Sequence, residues 1–273
     1  MDFLMKESLK NILYEMAKPS LKRIGRFNKI HHGESCYIFG DGVSVKSMDL
    51  GLLGDKIGIA VNYFPLHRDI NLTNCQYCII NAPFFFSPFL GYPRLQKLHM
   101  NKMARIYKEL IYQNHQRSYF IDLSNFPFLR GGNIFHTFKK IPDRKLANNF
   151  IGNQIDCFSG VNRAAIMLSI YMGFDHIYLI GFDYTHIPSR SLHWYEKGSG
   201  VYYPQDNYNE DFFKIAKEFV EITSVTLDGK CKGINSITYK DFTGVNPIYR
   251  ENTELIDGKY LDSLATWPGY TIY

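Results

Sequence analysis

The sequence predicts an α/β protein: a single Rossmann-like α/β/α domain built on a mainly parallel sheet, with an N-terminal amphipathic helix in front of it. Short, continuously apolar runs alternate with segments of helical periodicity, which is the pattern of strands covered on both faces. Several of these runs stop at Gly, Asn or Asp, the residue types expected where parallel strands end and ligands bind. The chain has 273 residues, 45% hydrophobic and 16% aromatic, enough for one large core. The expected division is a basic arm over residues 1–33 and the α/β domain over 34–273.

The arm comes first. Lys6, Lys10, Lys18, Lys22, Arg23, Arg26 and Lys29 stand against Asp2, Glu7 and Glu15, so residues 1–30 hold most of the net +5. Phe3, Leu4, Leu9, Ile12, Leu13 and Met16 alternate with the lysines at helical spacing. That gives an apolar face with a basic rim, suited to peripheral contact with an anionic membrane. The same pattern fits a helix packed on its own domain, and the sequence does not choose. The rest of the chain is close to neutral, which argues against a nucleic-acid partner. No run approaches the ~20 apolar residues of a spanning helix, and no secretory signal pattern is present. The five cysteines are read as reduced thiols, so the expected location is cytoplasmic, with the inner face of the membrane as an option. Cys75 and Cys78 form an unaccompanied CxxC, whose spacing in a strand points them to opposite faces.

After a linker at His31–Glu34, strands are expected at Cys36–Phe39, Ile57–Val61, Tyr77–Ile80, Tyr119–Ile121, His176–Ile180 and near Val225–Leu227. Helices are expected over Met100–Gln113, Ser159–Met172 and about Glu210–Ile222. The stretch from about Pro127 to Gln154, rich in Asn, Gly and Lys, reads as a loop or lid.

Chemistry-bearing residues collect at the strand ends. Gly40-Asp41-Gly42 follows the first strand, with Ser44 just beyond. The glycines would let a backbone approach a ligand closely. A dinucleotide fingerprint would need a third glycine, and a P-loop would need Gly-Lys-Ser/Thr; neither is present. Asn62 and Asn81 end two further strands. Ser159 and Gly160 open a helix whose N-terminus suits phosphate, or Ser159 simply caps it. Asp183 and Tyr184 follow the strand at Ile177–Ile180. Beyond lies a glycine-punctuated aromatic loop with His193, Tyr202 and Tyr203, in which a histidine can act as a base and tyrosines as donors.

The order Gly40-Asp-Gly-Val-Ser-Val-Lys-Ser-Met-Asp49, Val61-Asn62, Asn81-Ala-Pro-Phe-Phe-Phe86, Phe158-Ser-Gly-Val161 and Ile177-Tyr-Leu-Ile-Gly-Phe-Asp-Tyr184 resembles the bacterial lipooligosaccharide sialyltransferases. It also resembles a broader set of bacterial surface-glycan proteins with a Gly-Asn-Gly-Pro-Ser-Leu start. The resemblance runs from Cys36 to Phe219. It implies a GT-A-variant fold and a metal-independent, inverting transfer of a nonulosonic acid such as sialic acid, from a CMP-activated donor to a cell-surface glycan or glycolipid acceptor. No cofactor is implied beyond that nucleotide-sugar substrate. Carried over residue by residue, it places Gly40, Asp41, Gly42, Ser44, Asn62, Asn81, Ser159, Gly160 and Asp183 at the donor. Tyr184, Tyr202 and Tyr203 would help the phosphate leave, and His193 would deprotonate the acceptor.

Four departures stand out. Asp41 occupies a family Asn position, Val43 a Pro and Asp156 an Arg. Tyr202-Tyr-Pro-Gln205 stands where the family has its histidine, and His193 is the nearest substitute. A Mg²⁺-dependent pyrophosphokinase or other phosphotransferase, with Asp41 and Asp183 as ligands, is the competing enzyme class. An inactive glycan-assembly protein is the non-enzymatic one. The sequence leaves a homo-oligomer open.

Overall fold

The computed structural model describes residues 12, 15–137, 150–151, 154–155, 160–203, 210–231 and 233–273. In chain order the strands are β1 (Ser35–Phe39), β2 (Ile57–Val61), β3 (Cys75–Ile80), β4 (Ser118–Asp122), β5 (Ile134–Thr137), β6 (Phe150–Ile151), β7 (Gln154–Ile155), β8 (His176–Ile180), β9 (Ser189–Arg190), β10 (Tyr202–Tyr203), β11 (Glu221–Thr226) and β12 (Asn235–Thr238). Eight of them make one sheet in the order β12-β11-β8-β1-β2-β3-β4-β5, with every neighbouring pair parallel. β2 is buried along its whole length, as a strand covered on both faces must be.

The two faces are covered differently. One carries the long helix α1 (Arg94–Gln113), which starts directly after Pro93 and buries Met100, Met103, Tyr107 and Ile111 at helical spacing. The C-terminal segment completes that face through α4 (Tyr239–Thr243), α5 (Asn252–Leu255) and α6 (Gly258–Leu264), burying Leu255, Ile256, Leu261, Leu264 and Ile272. The opposite face carries α2 (Val161–Met172) and α3 (Glu210–Ala216). α2 is apolar nearly all round and ends at Gly173, whose φ of +87° is the left-handed cap that favours glycine.

Several expectations change. The helix expected to reach Ile222 stops at Ala216, because Val220, Ile222, Thr223, Val225 and Thr226 are β-branched and feed β11 instead. β5 lies inside the stretch expected to be a loop, with Ile134 and Phe135 fully buried; residues 138–149 of that stretch lie outside the described residues. The 31–34 segment is no free linker. His31 is buried, its Nε2 sits 2.7 Å from the Tyr77 hydroxyl, and its ring stacks on Phe174. Cys75 and Cys78 share one face rather than opposing each other, because the β2–β3 register slips by one residue at Gln76. Burial pushes both thiols up, Cys75 to about 12, so neither is a ready thiolate.

The described part of the arm packs on the domain. Residues 15–22 are helical, Ala17 and Leu21 are buried with Leu123 and Phe126, and Ile24 and Phe27 join the core under α2. Ile12 and Met16 face outward. Phe3, Leu4, Leu9 and Leu13 lie outside the described residues. Among the described residues no helix is long and apolar enough to cross a membrane.

Candidate active site

The strand order reverses between β1 and β8, where an open parallel sheet usually offers a crevice. Here the two turns close on each other. The Gly40 and Gly42 amides donate to the carbonyls of Ile180 and Gly181 at 2.7 and 2.8 Å. Ser44 donates its backbone N–H to Asp183 Oδ2 at 2.7 Å and its hydroxyl to Oδ1. A Cβ on Gly42 would lie 2.6 Å from both Asp183 Cγ and the Gly181 carbonyl oxygen, and one on Gly40 2.6 Å from the same oxygen. Glycine is therefore required at both positions by the contact of two turns alone. Ser44 and Asp183 serve each other.

The open space lies beside this junction, over the ends of β1, β2 and β3. A cavity of about 220 Å³ is bounded by Asp41, Asn62, Tyr63, Ile80, Ala82, Phe85, Met100, Tyr107, His193, Tyr195 and Tyr270. Asn62 turns the chain at the end of β2 with φ +45°, a conformation asparagine tolerates. Its carbonyl accepts from the Tyr107 hydroxyl. Asp41 accepts from Tyr63 N–H at 3.4 Å and from the Trp194 indole N–H at 3.3 Å. Burial raises its carboxyl to about 6, against the opposing pull of His193 and these donors.

His193 faces Asp41 across this space. A backbone bridge pairs it with Gly42, and Trp194 N–H donates to the Asp41 carbonyl at 3.0 Å. Its Nδ1 lies 2.7 Å from Glu196 Oε2, which also accepts the His193 backbone N–H at 2.9 Å. Glu196 Oε1 in turn accepts Thr271 N–H at 3.0 Å. The carboxylate therefore fixes Nδ1 as the protonated nitrogen and leaves Nε2 as the one that can meet a ligand. Burial lowers the imidazole, but Glu196, Asp41 and Asp183 outweigh it and the net shift is upward. Burial raises Glu196, yet its bonds to His193 and Thr271 hold it below the usual range. Tyr195 stacks on the imidazole with centroids 5.0 Å apart. Behind this loop the fully buried Lys46 donates to the Gly198 carbonyl at 2.7 Å and to Glu251 at 2.5 Å.

The other expected site residues lie elsewhere. Asn81 continues β3 on the α2 side, where its amide donates to the Gly160 carbonyl at 3.3 Å. Its buried Oδ1 has no partner among the described residues. Gly160 precedes α2 with φ +97°, while Ser159 and Asp156 fall outside the described residues. Tyr184 packs with the core on the α2 side. Tyr202 is 53% exposed and held by Arg190; Tyr203 pairs with Ser189 in the same ribbon. Neither Tyr184 nor Tyr202 borders the cavity, whose tyrosines are Tyr63, Tyr107, Tyr195 and Tyr270. His186 is buried against Ser224 and kept neutral by that burial. Glu196 was readable as His-x-x-Glu, a spacing that lets one turn join the pair. Tyr270 had no local signal, since only tertiary folding brings the C-terminal segment over β2.

Among the described residues no group of three or more His, Cys, Asp and Glu is arranged to hold a metal. Fold and site together define an α/β protein with a buried carboxyl and a carboxylate-held histidine facing one cavity at the strand ends. No family model matches the chain, and no curated protein matches it. Among solved structures it is similar to the sialyltransferase CstII of Campylobacter jejuni in complex with cytidine-5'-monophosphate, at 16% identity over 86% of this chain and 98% of that one, with a TM-score of 0.38. It is also similar to an apo alpha-2,3-sialyltransferase of Campylobacter jejuni, at 15% identity over 80% and 85% of the two chains and a TM-score of 0.38. A third is CST-II in complex with a trisaccharide acceptor and CMP, at 14% identity over 85% and 99%, with a TM-score of 0.36.

Proposed function

We propose that the chain is a glycosyltransferase that moves a sugar, a nonulosonic acid such as sialic acid, from a CMP-activated donor to a glycan hydroxyl, with inversion and without a metal. The observation that carries this reading is the His193–Glu196 pair facing Asp41 inside a tyrosine-lined cavity. The order of motifs quoted above supports the choice of donor. His193 Nε2 takes the acceptor proton as the new bond forms, while Glu196 holds the ring and stabilises the imidazolium. Burial raises Tyr63, Tyr107 and Tyr195 well above their usual range, so all three stay protonated. Tyr107 donates to the Asn62 carbonyl and Tyr195 bonds to Tyr270, which leaves the Tyr63 and Tyr270 hydroxyls to donate to the leaving phosphate. Asp41 fits the same role better than a free carboxylate would. Already raised to about 6, it would be pushed higher by a neighbouring phosphate and would then donate. At about 220 Å³ the cavity is smaller than the ~300–1,000 Å³ usual for whole ligands, so it takes one part of the donor.

A phosphotransferase would need Asp41 and Asp183 to share a cation, whereas Asp183 is committed to Ser44. The deciding experiment is thermal shift with CMP, UDP, GDP and ATP, each with EDTA or with Mg²⁺. At a hundredfold excess over its dissociation constant, CMP should stabilise by about 2.7 kcal/mol equally in both conditions. Stabilisation by ATP with Mg²⁺ alone would replace this reading with the phosphotransferase.

A further inference from the structure

From Ile70 to Lys108 the chain carries five basic residues (Arg94, Lys97, Lys102, Arg105 and Lys108) and no acidic one. The middle of that stretch exposes three large apolar side chains: Phe89 is 86% exposed, Leu98 60% and Leu90 45%. The tip is an ordered one. Ser87 Oγ accepts the backbone N–H groups of Phe89 and Leu90 at 3.3 and 2.9 Å, and Lys97 Nζ donates to the Leu90 carbonyl at 2.5 Å. Folding therefore holds Phe89 and Leu90 out in water instead of letting them collapse inward. On α1, Arg94, Leu98, Asn101 and Arg105 follow one another along the exposed stripe, so charge and apolar surface share one side. Among the described residues Arg94, Lys102, Arg105 and Lys108 take part in no ion pair. An ordered apolar tip that leads into a basic helix, whose one acidic residue, Glu109, lies near its far end, is the pattern of an interfacial anchor.

We propose that the tip at Phe89–Leu90 and the Arg94–Arg105 stripe of α1 dock on an anionic lipid bilayer. The charge complementarity selects an anionic surface, and the apolar tip selects one that can be entered. The same segment supplies Ala82, Phe85 and Met100 to the cavity wall, so docking would hold the mouth of the site beside lipid-borne molecules. This holds whatever reaction the cavity performs.

The test is co-sedimentation of the full chain with vesicles of phosphatidylcholine alone and of phosphatidylcholine mixed with phosphatidylglycerol. The wild type should bind the anionic vesicles, less so at high salt. Removing two charges in Arg94→Ser/Arg105→Ser should weaken partition about 25-fold, at roughly fivefold per charge. Phe89→Ser/Leu90→Ser should lose binding while its thermal midpoint stays unchanged, because both side chains are exposed. Equal sedimentation of both variants and the wild type overturns the proposal. So does binding lost only in a Lys6→Ser/Lys10→Ser variant. Equal binding to neutral vesicles, or a dimer in solution that Phe89→Ser/Leu90→Ser breaks without lipid, overturns it too. Retention on duplex RNA in place of vesicles would reassign the surface to nucleic acid.

Discussion

Asp41 and Asp183 follow neighbouring parallel strands and were equal candidates in the sequence, yet the fold treats them in opposite ways. Asp183 is 2% exposed and bonds to the Ser44 backbone and hydroxyl, making a tie between two turns. Asp41 borders open space, accepts from Tyr63 and Trp194 through long hydrogen bonds of 3.4 and 3.3 Å and also from the Asn62 side chain, and faces an imidazole that a second carboxylate holds in place. The difference lies in the partners. A carboxylate with short internal bonds has its capacity used, whereas one with weak bonds keeps capacity for a ligand. On this comparison the junction around Asp183 ties two turns together, and the cavity around Asp41 keeps space and bonding capacity beside it.

The largest expected effect falls on the cavity side. His193→Ala should lower turnover about 10²–10⁴-fold while CMP affinity by calorimetry changes little; a mutant with wild-type transfer would break the comparison. Because the imidazole is raised above its ordinary 6.5 and acts as a neutral base, the rate should climb with pH through that raised value. Glu196→Gln should move this climb to lower pH, since it removes the negative charge that favours the imidazolium while leaving an amide oxygen to accept from Nδ1. Next comes the junction. Gly42→Ala should destabilise by about 1–3 kcal/mol in urea titration, as an overpacked contact does, while the folded fraction keeps its CMP affinity. Loss of affinity without loss of stability would return Gly42 to the ligand site.

A comparable effect separates the two carboxyls by pH. Burial raises Asp41 from 3.8 to about 6, so its ionisation opposes folding. Its contribution is fully present below the unfolded value and is lost as pH rises through about 6. Asp41→Asn should therefore equal the wild type in acid and exceed it by about 3 kcal/mol at neutral pH, read from urea midpoints across the range. A variant that loses stability at neutral pH would show that Asp41 is a tie like Asp183. The smallest effect is expected for Tyr202→Phe, exposed in a ribbon away from the cavity, with turnover within about twofold and stability within about 0.5 kcal/mol.

The sheet was legible because buried parallel strands are written as unbroken apolar runs, as in Ile57–Val61. The strand-end residues were legible as a set for the same reason, but their directions were not. Whether Asn62 meets the cavity or Asn81 the α2 side depends on which face each strand end turns to, and β3 carries a register slip that no local pattern marks. His193 could be read as a candidate base, and Glu196 stood three residues on. The cavity tyrosines could not, because Tyr63, Tyr107 and Tyr270 come from three segments joined only by the finished fold.

The centre of the sheet has a consequence for how the chain is made. β1 ends at Phe39 and finds one neighbour in β2 from Ile57, but its other, β8, only from His176, about 140 residues beyond β1. Contacts that span so much chain are slow to form, and a nascent chain emerges at ~5–20 residues per second. For many seconds the first strand therefore stands as an open edge, and the turn carrying Asp41 has nothing to lean on. A ribosome-held chain stalled before His176 should be cut readily by protease between Cys36 and Ser47. One stalled beyond Asp183, with that segment clear of the exit tunnel, should resist.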